Sequence, residues 1–164
     1  MVTVTFVTFQ QMAGAVKDVL EAALTPYVAG PPVTTVKQVY GYDELYEGMN
    51  EWPAIEVYVE DWELSYDSDL DRTVFCQDGD KRSITNCHIH VDVYAARRNQ
   101  LNENWRDALV LANAVNAVLE DECACPLFDL AGMHDLHWTA SRVVFSRAQA
   151  EYCGYRFILT VKVY

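Results

Sequence analysis

Basic residues are scarce in this chain: 12 Lys and Arg stand against 24 Asp and Glu, a formal charge of −12 over 164 residues. Tight binding to a phosphate backbone needs clustered cations that release counterions, so this deficit argues against sequence-specific nucleic-acid binding. It does not argue against a protein that surrounds DNA without gripping it, because an acidic surface repels the polymer and suppresses sticking. Glycine is also sparse, 7 in all, and the chain has neither a Gly-rich phosphate loop nor a Gly-x-Ser-x-Gly elbow. No spacing links a particular Cys or Ser to a His, so the sequence offers no nucleophilic site and the expectation is a protein without an enzyme activity. The apolar start, Met1 to Phe9, is too short and too rich in Thr for a membrane span or an export signal. Cysteine comes as an odd set of five, Cys76, Cys87, Cys123, Cys125 and Cys153, which predicts reduced thiols in a cytosolic setting and not a secreted disulfide framework.

What is present is enough apolar material to fold: 51% of the chain, with 4 Trp and 10 Tyr. That content outweighs the net charge as an argument against disorder, and the length fits a single domain over residues 1–164.

Two segments carry the period of an amphipathic helix. From Phe9 to Tyr27, Met12, Val16, Val19, Leu20, Ala23 and Tyr27 recur at three- and four-residue steps, with Lys17, Asp18 and Glu21 opposite. From Asn102 to Asp121 the stripe is Trp105, Ala108, Leu109, Ala112, Val115, Val118 and Leu119, with Asn99 or Asn102 as the N-cap. Gly30-Pro31-Pro32 breaks the chain before a short β-type run, Val33 to Tyr40. Pro53 to Glu60 alternates Ile55, Val57 and Val59 with Glu56, Tyr58 and Glu60, and Trp62 to Tyr66 continues or follows it. Ile84 to Ala95 alternates most strictly, Cys87, Ile89, Val91 and Val93 against Asn86, His88, His90, Asp92 and Tyr94. Two further strand-like runs, His134 to Phe145 and Tyr155 to Tyr164, read as a terminal antiparallel pair separated by Ala148 to Gly154. The pattern predicts an α+β fold: one mixed or mainly antiparallel sheet of about four to five strands, two main helices on one face, and a long acidic hairpin or loop over residues 65–82.

Charge is distributed unevenly. From Asp43 to Asp71 lie eleven acidic residues and no Lys or Arg, a stretch that is solvated or faces a basic partner. Within the excursion, Asp67, Asp69 and Asp71 have the alternate spacing that opens a calcium loop, but Arg72 stands where that loop needs Gly and Asp78 where it needs Glu. A solvated acidic turn containing Asp67, Asp69, Asp71, Asp78 and Asp80 fits better, and these five are candidates for a subunit or partner contact. Arg97 and Arg98, a basic spot between the best strand and the second helix, are solvated or meet the acidic stretch of a neighbouring subunit. His88, His90 and Asp92 share one strand face and are metal ligands in kind, yet alternation alone puts polar residues there, so the face is expected to meet solvent, a lumen or an interface. Cys123, Cys125, His134 and His137 are zinc ligands in kind but poorly spaced, with one residue between the cysteines. No metal and no cofactor is expected.

The element order resembles that of the tail terminator, or tail completion, proteins of long-tailed bacteriophages. The resemblance covers roughly Phe9 to Tyr164. It is carried by the N-terminal helix, the strand opening Pro53-Ala54-Ile55-Glu56-Val57-Tyr58, the charged excursion, the strand His88-Ile89-His90-Val91-Asp92-Val93-Tyr94, the single long helix and the last strand ending Leu159-Thr160-Val161-Lys162-Val163-Tyr164. It implies a homo-oligomer, a hexameric ring, seated on the tail tube protein, stopping tube growth and meeting the head-tail connector or stopper. DNA would pass through the lumen without specific binding. The implied location is the tail-neck region of the virion, after assembly in the host cytoplasm and with no membrane. The family has no catalytic residues to carry over. Another neck component, a small metal-dependent enzyme and a monomeric binding module for a basic protein remain alternatives at this point.

Overall fold

The computed structural model describes residues 8–23, 36, 38–41, 53–65, 84–97, 103–123, 134–147 and 150–163. The acidic excursion, with Asp67, Asp69, Asp71, Asp78 and Asp80, lies outside these residues, as do Arg98, Cys125 and the N-cap candidates Asn99 and Asn102.

Helix α1 spans Phe9–Ala23. It begins at a reciprocal cap that satisfies two otherwise orphaned amides: Gln11 N–H donates to Thr8 Oγ1 at 3.2 Å, and Thr8 N–H donates to Gln11 Oε1 at 2.8 Å. Beyond the cap, Met12, Val16, Val19 and Leu20 of the expected stripe are buried, with Ala13 beside them. The expected continuation to Tyr27 falls outside the described residues.

Five strands follow: β1 Gln38–Tyr40, β2 Ala54–Ser65, β3 Ile84–Arg97, β4 His134–Arg147 and β5 Ala150–Val163, with helix α2, Glu103–Cys123, between β3 and β4. They form one sheet in the order β1-β2-β3-β5-β4. β1 runs parallel to β2 and every other pair is antiparallel, so the sheet is mixed and the fold is α+β.

Both helices cover the same face. Ile55, Val57, Cys87, Ile89, Val91, Val93, Phe157, Leu159 and Val161 form one buried cluster with Met12, Val16 and Leu20 of α1 and Leu111, Val115, Val118 and Leu119 of α2. Burying side chains of this size stabilises by about 1.5–3 kcal/mol each, the main favourable contribution to the fold. α2 is tied to the edge strand by polar contacts as well. Trp138 Nε1–H donates to Asn116 Oδ1 at 2.9 Å, and the Arg142 guanidinium lies 3.5 Å over the Trp105 ring.

The sheet differs from the sequence reading in one element. β5 begins at Ala150, so residues 150–154 of the segment expected to separate two strands are strand. Gly154, where the separating segment was expected to end, is a place of close approach within the strand. A Cβ there would stand 1.9 Å from the Val93 carbonyl oxygen and 2.8 Å from the Phe145 ring. Its absence lets Phe145 close on Tyr94, ring centroids 4.5 Å apart, in a second buried group with Tyr152.

Candidate functional site

The face of the sheet opposite the helices carries a charged row. Register sets Glu56 of β2 beside Asp92 of β3, and Asp92 beside Arg156 of β5. Arg156 grips Asp92 with both prongs, Nε donating to Oδ1 and Nη2 to Oδ2, each at 2.7 Å. Tyr58 O–H donates to Asp92 Oδ2 at 3.1 Å and accepts from Arg156 Nη2 at 3.1 Å. His90 Nδ1 lies 3.3 Å from the same phenol oxygen. Because the phenol proton points at Asp92, the imidazole joins this network only as an Nδ1–H donor, which selects its tautomer. One row further along, Tyr94 O–H donates to Glu56 Oε2 at 2.5 Å.

Asp92 is fully buried, Glu56 and His90 nearly so. This corrects the expectation that the polar face of β3 meets solvent, a lumen or an interface: at its centre, side chains of the neighbouring strands cover it. The charge on Asp92 is tolerated because three hydrogen bonds reach its carboxylate. Burial, with Asp92 beside it, pushes the Tyr58 phenol far above its ordinary range, so it stays a neutral donor. Burial, assisted by the Arg156 charge, lowers the His90 imidazole below its ordinary value of 6.5. The hydrogen bond to Asp92 raises the Arg156 guanidinium further.

His88, His90 and Asp92 do share a strand face, but each turns to a different partner. His88 Nδ1 pairs with Asp61 Oδ1, His90 with Tyr58, and Asp92 with Arg156. Among the described residues no group of three or more His, Cys, Asp or Glu is arranged to hold a metal ion. Of the Cys123 to His137 set, Cys123 closes α2, His134 opens β4, and exposed His137 has its Nδ1 3.2 Å from the Asp135 carbonyl. Arg97 is the last residue of β3, opposite Tyr152. No described helix is long and apolar enough to cross a membrane.

The second feature is the far edge of the sheet. β4 pairs with β5 on one side, and among the described residues no strand lies on the other. Near its start the register shifts between His134 and His137, and Asp135 adopts a left-handed backbone with φ 50°. Beyond that bulge the strand runs regularly to Arg147, with Thr139, Ala140, Ser141 and Arg142 exposed. At the opposite side of the sheet, β2 is covered by β1 only at Ala54, Ile55 and Glu56.

Compared with known proteins, the chain matches no protein-family model and no curated protein.

Proposed function

We propose that this chain is a structural subunit that closes into a ring at the end of a bacteriophage tail tube, stops tube growth and joins the tail to the head connector, with DNA passing through the lumen. The resemblance in element order supplies the reading, and the α+β fold agrees with it.

The observation that carries it is strand β4, fourteen residues that form an edge of the sheet among the described residues. A long edge of unpaired backbone groups is a template for another chain, and proteins that remain monomeric blunt such edges with Pro, Lys or charges pointed inward. His134–Arg147 contains neither Pro nor Lys. The net charge of −12 suits a lumen that must not retain DNA.

Light scattering coupled to size exclusion over a concentration series tests the assembly. A ring of six gives about 112 kDa, six times the chain mass of 18.7 kDa. Added to polymerising tail tube protein, the purified chain shortens the tubes. A monomer at every concentration that leaves tube length unchanged overturns the reading.

A further inference from the structure

We infer that neighbouring copies join through two different sheet edges: β4 of one copy adds to the uncovered outer edge of β2 on the next. This rests on the ring reading and names the surfaces that would build it.

Both edges offer backbone groups to a partner, β2 in two runs on either side of the bulge at Glu60. β4 exposes one side over its fourteen residues, and β2 has twelve residues of which β1 covers three, leaving 57–65 uncovered on that side among the described residues. An added strand satisfies backbone donors and acceptors that otherwise rely on water.

Charge decides between the possible pairings. β2 carries Glu56, Glu60, Asp61 and Glu63 with no basic residue, a sum of −4, and Glu60, Asp61 and Glu63 are exposed. β4 carries Arg142 and Arg147 against Asp135, a sum of +1 in a chain whose total is −12. Two β2 edges meeting about a two-fold axis would set acid on acid, and two β4 strands centred on Ser141 would match Asp135 with Arg147 but bring the two Arg142 side chains together diagonally. β4 on β2 sets opposite signs together. A contact between unlike surfaces is heterologous, and heterologous contacts generate rings when the rotation closes.

The test blocks one edge at a time. For β4, Ala140→Pro and Ser141→Pro are made separately: along an antiparallel strand alternate amides point to the partner and away, so one of the two removes only an outward N–H and keeps the folded far-ultraviolet spectrum. For β2, Glu60→Lys with Glu63→Lys reverses two exposed charges and supplies the residue that protects natural edges. Each blocked chain alone should run as a monomer by light scattering, whereas an equimolar mixture, which retains one intact pair of edges, should form a 1:1 dimer. If the unaltered chain assembles but either folded blocked chain still does so, or the mixture stays monomeric, the edge pairing is wrong and the ring reading survives. If the β2-blocked chain alone forms a dimer that the proline abolishes, β4 pairs with itself and the inference also fails. If the unaltered chain is monomeric throughout and leaves tubes at full length, both fall together.

Discussion

Arg156 and Asp92 face each other across paired strands, 64 residues apart in sequence, with both carboxylate oxygens held at 2.7 Å by one guanidinium. Asp92 is fully buried while Arg156 is partly exposed, so the two ends of the bond are unequal. Removing the cation strands a charge; removing both groups does not.

Arg156→Met should therefore destabilise the fold by about 3–5 kcal/mol, the cost of leaving a buried ion unpaired. Asp92→Leu added to it should recover most of that loss. Urea midpoints of the wild type, the single variant and the double variant check this; a single variant within about 1 kcal/mol of wild type overturns the account.

Gly154→Ala places a methyl group where Val93 and Phe145 already stand. The strand must shift or the Phe145 ring must withdraw from Tyr94, and overpacking of this kind costs about 1–3 kcal/mol. A drop in thermal midpoint with changed near-ultraviolet dichroism from Tyr94 and Tyr152 is expected, whereas Gly14→Ala, at a helical position with open space, should be neutral or stabilising.

Thr8→Ala removes one half of the cap on α1 and should cost about 1 kcal/mol. Thr8→Ser keeps the hydroxyl and should restore most of the stability, with both read from thermal melts.

The lowered His90 pKa sets a pH dependence. The unfolded chain binds this proton near pH 6.5, the folded chain only at lower pH, so this contribution to stability is complete above pH 6.5 and is lost as pH falls below it. Around the imidazole lie Tyr58, Asp92, Arg156, Glu60 and Asp61, of which only Arg156 opposes its protonation by charge. His90→Gln should flatten the fall in urea midpoint between pH 7.5 and pH 5.5 relative to wild type; parallel slopes would contradict the assignment.

Cys87 is buried in the main cluster, and burial raises its thiol to about 11. At pH 8 the folded protein should leave Cys87 unlabelled by iodoacetamide, while denaturant releases it at once. Peptide mapping by mass spectrometry separates it from the other cysteines.

The helices and β3 were readable because their side chains repeat with a period that one chain segment displays by itself. The alternation of Cys87, Ile89, Val91 and Val93 identified the helix-facing side. What it left open was the fate of the opposite side, because the groups that bury Asp92 and His90 arrive from β2 and β5, and nothing local announces that Arg156 will lie beside Asp92. The start of β5 was not legible for a related reason: the fit of Gly154 against Phe145 and Val93 exists only once β3 and β4 lie beside it. The cap at Thr8 does have a local signature, since Thr-x-x-Gln ahead of an apolar run is a helix-start signal. That β4 has a neighbouring strand on one side alone among the described residues is a property of topology, and a linear sequence does not show which strand comes last in a sheet.

The row of Glu56, Asp92 and Arg156 also acts as a lock against slippage. Moved one residue, β5 would turn Arg156 into the hydrocarbon beneath the helices; moved two, it would set Gly154 or Ile158 beside Asp92 and a bulky side chain where only glycine fits against Tyr94. A purely aliphatic sheet of long, similar strands has many near-equivalent alignments. Here a single ion pair and a single missing methyl group make every alignment but one expensive, so the chain gives up some ease of burial for a sheet that pairs in only one way.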